Sequence, residues 1–156
     1  MTKRCTLRIT EDMMSELKAH LFRGDLEEHD AVIAAGVLET PSEIRLLVRA
    51  VFLAEDGVDY ISGTVGYKAL KASFVTEKIL FCRDEGLAYL AVHCHGGSDW
   101  VTFSGVDMES HERGYPALLS VIREQPVGAL VLSPNAVAGD VWNQDGTRIK
   151  IDEAIV

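Results

Sequence analysis

Four short apolar runs constrain this chain more than any other feature: Ala31–Leu38, Glu43–Leu53, Leu87–His95 and Val127–Leu132. Ala31–Leu38 is continuously apolar, Glu43–Leu53 is rich in Ile, Leu and Val, and segments of this length and character read as strands buried inside a sheet. None approaches the roughly 20 residues that cross a bilayer. The segments between them carry helical signals. Thr10 suits a helix N-cap, with Glu11 and Asp12 where the helix dipole favours negative charge. Met14, Leu17 and Leu21 follow at helical spacing, and Gly24 supplies a stop. A second helix is expected over Leu70–Arg83, ended by Gly86. Gly114-Tyr115-Pro116 is expected to break the chain between a short helix, Gly105–Arg113, and a helix over Ala117–Glu124. Cys5–Ile9, Val58–Ile61, Val137–Trp142 and Arg148–Ile151 complete the expected strands, with hairpin chemistry at Asp145-Gly146. Strands alternate with helices and dominate the end, so the expected class is α/β (α+β), a sandwich around a mixed sheet.

The 156 residues suit one domain. A chain of this size buries roughly 68–70% of its unfolded surface, enough to fold without a metal or disulfide staple. The net charge of −9 argues against nonspecific binding to nucleic acid or an anionic membrane, which both need a basic face. The N-terminal segment shows no apolar core of a signal peptide. Cys5, Cys82 and Cys94 are odd in number and scattered, so no disulfide framework is expected and a cytoplasmic location is.

The chemically informative segment is His93–Asp107, HCHGGSDWVTFSGVD. At a strand end, period-two alternation puts His93 and His95 on one face and Cys94 on the other. A Gly96–Phe103 loop then leads to Ser104 and Asp107, which share a face if a helix starts there. Two histidines and one aspartate with an open position make a catalytic zinc set. The plainer reading of the last pair is a capping arrangement, Ser104 as N-cap and Asp107 at N3. Cys94 is better suited to packing than to nucleophilic attack. His29 is expected to be incidental. His111 and Glu112 suit either partners of metal ligands or a solvated helix face. Trp100 and Phe103 suit either substrate contact or packing of the loop, and Asp99 suits a turn.

The pattern His-x-His, loop, Ser-x-x-Asp resembles the signature of the JAB/MPN (JAMM) metalloprotease family. The likeness extends from about Leu17 to Trp142. It includes the Glu28-His29-Asp30-Ala31-Val32-Ile33 entry to a strand, the strand into His95 and the VGALVLSP segment at Val127–Pro134. The stretch SHERGYPALL, Ser110–Leu119, resembles the bacterial branch. Gly96 stands where the family has proline, and the loop from His95 to Ser104 is one residue longer than the family pattern.

The resemblance implies a cytidine-deaminase-like sandwich with a mixed, curved sheet flanked by helices. It implies one catalytic domain over residues 1–156, whether complete or excised from a longer chain. It further implies a zinc-dependent isopeptidase that cleaves a ubiquitin-like protein from a conjugate or precursor. His93, His95 and Asp107 would hold Zn2+, Glu28 (or its neighbour Glu27) would be the general base, and Ser104 would stabilise the oxyanion. A ubiquitin-activating-enzyme-like protein is a further implied partner. The alternative is a catalytically inactive scaffold of the same family that binds partner proteins.

Overall fold

The computed structural model describes residues 3–24, 29–61, 70–95 and 114–156. Strand β1 (Arg4–Arg8) runs into helix α1 (Glu11–Leu21), whose start is set by Thr10: its side chain accepts a hydrogen bond from the Met13 amide. Met14, Leu17, His20 and Leu21 form the buried face of α1. Strands β2 (Asp30–Glu39) and β3 (Glu43–Leu53) follow, then helix α2 (Ala72–Glu85) and strand β4 (Ala88–Cys94). Helix α2 ends at Gly86, whose φ of 68° is the left-handed conformation that closes helices at low cost for glycine. Helix α3 covers residues 114–121. Four strands close the chain: β5 (Val127–Ser133), β6 (Ala136–Trp142), β7 (Arg148–Lys150) and β8 (Glu153–Ile155).

The strands form one eight-stranded mixed sheet in the order β7-β6-β5-β4-β2-β3-β1-β8. The edge strands β7 and β8 are separated in the chain only by Ile151 and Asp152. The Ile151 amide donates to Gly139 O of β6 at 2.8 Å, and the Asp152 amide donates to Cys5 O of β1 at 2.8 Å. Successive Cα atoms lie about 3.8 Å apart. A sheet whose two margins are joined by one such step must curl until they meet, which leaves little open edge.

Alternation along the strands sends side chains to two apolar clusters. Ala31, Ile33 and Ala35 of β2, with Leu90, Val92 and Cys94 of β4, line the inside of the curl and pack with Leu17 and Leu21 of α1. Val32 and Ala34, with Tyr89 and Ala91, face outward to Phe74 and Cys82 of α2 and Tyr115 and Ile122 at the two ends of the α3 region. Strand β5 is buried at every position because both faces are covered. The α/β (α+β) class and the mixed sheet are those that the sequence pattern leads one to expect.

The structure corrects three local expectations. Residues 58–61 make no strand; Tyr60 forms only an isolated bridge to Leu70. Helix α3 runs through Gly114-Tyr115-Pro116 instead of starting at Ala117, because a proline in a first helical turn has no amide bond to lose. Strand β8 follows Arg148–Ile151 where no further strand was expected. The expected Gly105–Arg113 helix and Gly96–Phe103 loop lie outside the described residues, apart from any structural account. Among the described residues, no helix is long and apolar enough to cross a membrane.

Candidate functional site

The candidate site begins at the end of β4. The β2–β4 pair is antiparallel and sets Asp30 opposite His93; the β4–β5 pair is parallel and sets Val131 beside it. The His95 amide donates to Leu132 O at 2.9 Å, so the strand geometry persists one residue beyond β4. His93 and His95 therefore stand on the same face, with ring centroids 5.7 Å apart and planes 36° apart. Both imidazoles are half-buried. Cys94 points the other way into the interior cluster, where its thiol donates to Leu21 O at 3.6 Å and His29 O at 3.7 Å. The alternation expected from the sequence is thus present, and Cys94 is a packing residue.

The histidine pair can be tested against the metal it was expected to hold. Ligand nitrogens sit about 2.0–2.1 Å from zinc, which places the centres of two tetrahedrally disposed imidazoles roughly 5 Å apart. A separation of 5.7 Å is close to that value. The separation is compatible with two ligands of one ion, and it is also that of the neighbouring imidazoles His20 and His29. Among the described residues there is no group of three or more potential ligands. Asp107, the expected third ligand, and Ser104, the expected oxyanion donor, lie outside the described residues. So do Glu28, its neighbour Glu27, His111, Glu112, Trp100, Phe103 and Asp99. Asp30 is the cross-strand partner of His93.

Behind this corner lies a polar cluster that the sequence did not announce. His20 is buried in the last turn of α1, and its Nε2 donates to Asp30 O at 3.0 Å. Arg23 donates from Nη2 to His20 Nδ1 at 2.7 Å and from Nε to His20 O at 3.2 Å. A carbonyl can only accept and a guanidinium can only donate. His20 is therefore the neutral tautomer with its proton on Nε2. Burial is the largest influence on His20 and lowers its pKa; the bond to Asp30 opposes this and the Arg23 charge adds to it.

The Asp30 carbonyl also accepts from the Ala54 amide at 3.1 Å, and the Asp30 amide donates to the Tyr60 hydroxyl at 2.8 Å. Burial, reinforced by the Asp30 carboxylate, raises the Tyr60 phenol well above its ordinary range, so the hydroxyl stays protonated. His29, read from the sequence as incidental, is fully buried, with its ring edge-on to His20 at 5.7 Å and its Nδ1 3.7 Å from Asp56. Asp56 also meets Arg23 at 3.4 Å. The available signal was a histidine on the apolar stripe of α1, one turn beyond Leu17, where a leucine would be ordinary.

Comparison with known proteins bears on the fold. No protein-family model matches the chain, and no curated protein matches it. The chain is similar to the solution structure of protein DSY2949 from Desulfitobacterium hafniense, at 15% sequence identity and a TM-score of 0.56. The match covers 97% of this chain and 91% of that one. Likeness at that identity speaks to the fold alone.

Proposed function

We propose that the protein is a zinc-dependent isopeptidase of JAB/MPN type that releases a ubiquitin-like protein from a conjugate or precursor. The observation that carries this reading is the His93–His95 pair. Two imidazoles share one face at a strand end, at a separation suited to one metal ion, with the start of β2 directly across. The His-x-His, Ser-x-x-Asp signature supplies the rest of the set, Asp107 as third ligand. A bound zinc ion would polarise the isopeptide carbonyl and make water a competent nucleophile near neutral pH.

The chain's own groups would do the remaining work. The Glu28 carboxylate takes a proton from the attacking water and passes it to the departing lysine Nζ. Ser104 donates a hydrogen bond to the oxygen that gains charge as the carbonyl becomes tetrahedral, a contribution typically worth about 10²–10³ in rate. The three cysteines Cys5, Cys82 and Cys94 are buried thiols outside any disulfide, which suits a reducing, cytoplasmic setting.

The test pairs metal analysis with cleavage. We expect one zinc per chain, lost in His93→Ala, and isopeptide cleavage of ubiquitin-like conjugates that a strong chelator stops. Glu28→Ala should keep zinc and lose turnover. A native chain that takes up no zinc would overturn the enzyme. If that zinc-free chain still bound a ubiquitin-like protein or an activating-enzyme-like protein, the inactive scaffold would replace it.

A further inference from the structure

The geometry points to His20 as a positioning residue for this site: held by Arg23 as its Nε2–H tautomer, it pins the first residue of β2 and so the β2–β4 corner in which His93 stands. The inference rests on the proposed function for its catalytic consequence. Asp30 is the point of attachment. Its carbonyl accepts from His20 Nε2 at 3.0 Å and from the Ala54 amide at 3.1 Å, which uses both lone pairs. Its amide donates to the Tyr60 hydroxyl at 2.8 Å. The backbone of one residue is therefore tied to α1, to the segment after β3 and to Tyr60 at once. That same residue faces His93 across the sheet.

Three features make His20 the controlling member. The residue is 5% exposed, so its bond to Asp30 faces little competition from water. Arg23 occupies Nδ1 and holds the helix-end carbonyl of the same residue, which restrains both ring rotation and tautomer. On the far side, the Cys94 thiol reaches the carbonyls of Leu21 and His29, so the end of β4 meets the same knot. A misplacement near 1 Å of a group that touches the reacting atoms can cost about 10²-fold in rate. Movement of β2 against β4 would shift His93 within the site.

The experiment uses the full chain, zinc-loaded, with a ubiquitin-like isopeptide conjugate. His20→Ala should lower kcat by about 10- to 100-fold, the scale of a misplacement near 1 Å, with KM within about twofold and zinc content unchanged. His20→Gln keeps a side-chain donor for Asp30 O and should recover most of the rate. A folded His20→Ala with wild-type kcat, or equal losses in the alanine and glutamine variants, would overturn the inference. If His20→Ala does not fold, Arg23→Gln replaces it. That exposed change releases the imidazole Nδ1 together with the contacts to the His20 carbonyl and Asp56, leaves the His20 ring in place, and should lower kcat by an intermediate factor; no change overturns the inference.

A second readout stands apart from activity. Long-range proton–nitrogen spectra should show His20 protonated at Nε2 only, and His20→Ala or Arg23→Gln should speed amide exchange at Asp30 and Ala54 but not at Val141. The opposite tautomer, or unchanged exchange, would defeat the positioning claim. If the spectra agree and the wild-type chain cleaves nothing, it is the proposed function that fails, and with it the catalytic consequence of the positioning.

Discussion

Replacing Gly139 by alanine tests whether the curl of the sheet is as tight as its hydrogen bonds require. Gly139 sits in β6 opposite Leu130 of β5, where Ile151 crosses from one margin of the sheet to the other. Its backbone is ordinary for an L-residue, so alanine brings no conformational strain. The cost is packing alone. An added Cβ would lie 2.5 Å from Leu130 Cδ2, 2.8 Å from Ile151 Cδ1 and 2.9 Å from Ala129 O. The two methyls can turn aside, but the carbonyl belongs to the neighbouring strand and cannot. Overpacking of this kind costs about 1–3 kcal/mol, while the lost freedom of the unfolded chain returns about 0.4–1 kcal/mol. The expected net loss is about 1–2 kcal/mol, which at this chain length lowers the melting temperature by about 2–8 °C.

Urea unfolding followed by circular dichroism should show the same loss with an unchanged m-value. The double-mutant cycle with Ile151→Val sharpens the test. That change removes one of the clashing methyls and by itself costs about 0.5–1.5 kcal/mol. In the Gly139→Ala background it should cost less or stabilise, a coupling of at least about 0.5 kcal/mol. Gly114→Ala serves as the control, since its added Cβ meets nothing within 4 Å. If Gly139→Ala melts at or above the wild type, or Ile151→Val exerts its full cost in both backgrounds, the closure described here is wrong.

The remaining predictions concern the cap, the buried histidine and the thiols. Thr10→Ala removes the acceptor of the Met13 amide and should cost about 1 kcal/mol in urea unfolding; an unchanged midpoint would refute the cap. His20 has a folded pKa below its ordinary value of 6.5, so the unfolded chain binds the extra proton first. Its contribution to stability is complete above pH 6.5 and declines as pH falls toward the lowered folded value. Wild type should therefore lose more stability than His20→Gln between neutral and mildly acidic pH; parallel curves would contradict this. Burial pushes the Cys5 and Cys82 thiols from 9.0 up to about 12, so neither should react with an alkylating reagent at pH 8 until the chain unfolds. Rapid native labelling at either position would show that the clusters around them open.

What could be seen in the sequence was local, and what could not was cooperative. Helix α1 was legible because Thr10, Glu11 and Asp12 mark its start and Met14, Leu17 and Leu21 its buried side within one short window. The shared face of His93 and His95 was legible because strand alternation needs only three consecutive residues. Strand β8 was not, since its three residues have no pattern of their own. They are extended because Thr6, Leu7 and Arg8 pair with them from the other end of the chain. Such pairing carries a loop-closure cost that no local propensity reflects.

The knot around Asp30 was hidden for the same reason. It draws His20 from a helix, Tyr60 from a loop and Cys94 from a strand end, each with a plausible bland role where it stands. His29 shows the consequence. Beside Glu28 it looks incidental, yet its buried ring lies edge-on to His20 of α1, its carbonyl meets the Cys94 thiol of β4, and it shares Asp56 with Arg23. A fully buried imidazole in that position restricts how far α1 can shift relative to β2, because the two histidine rings are in edge contact. The candidate site thus depends on two layers of different origin. The outer layer is a short motif that alternation arranges. The inner layer is a set of buried polar contacts between α1, β2 and β4, which only the closed sheet brings together.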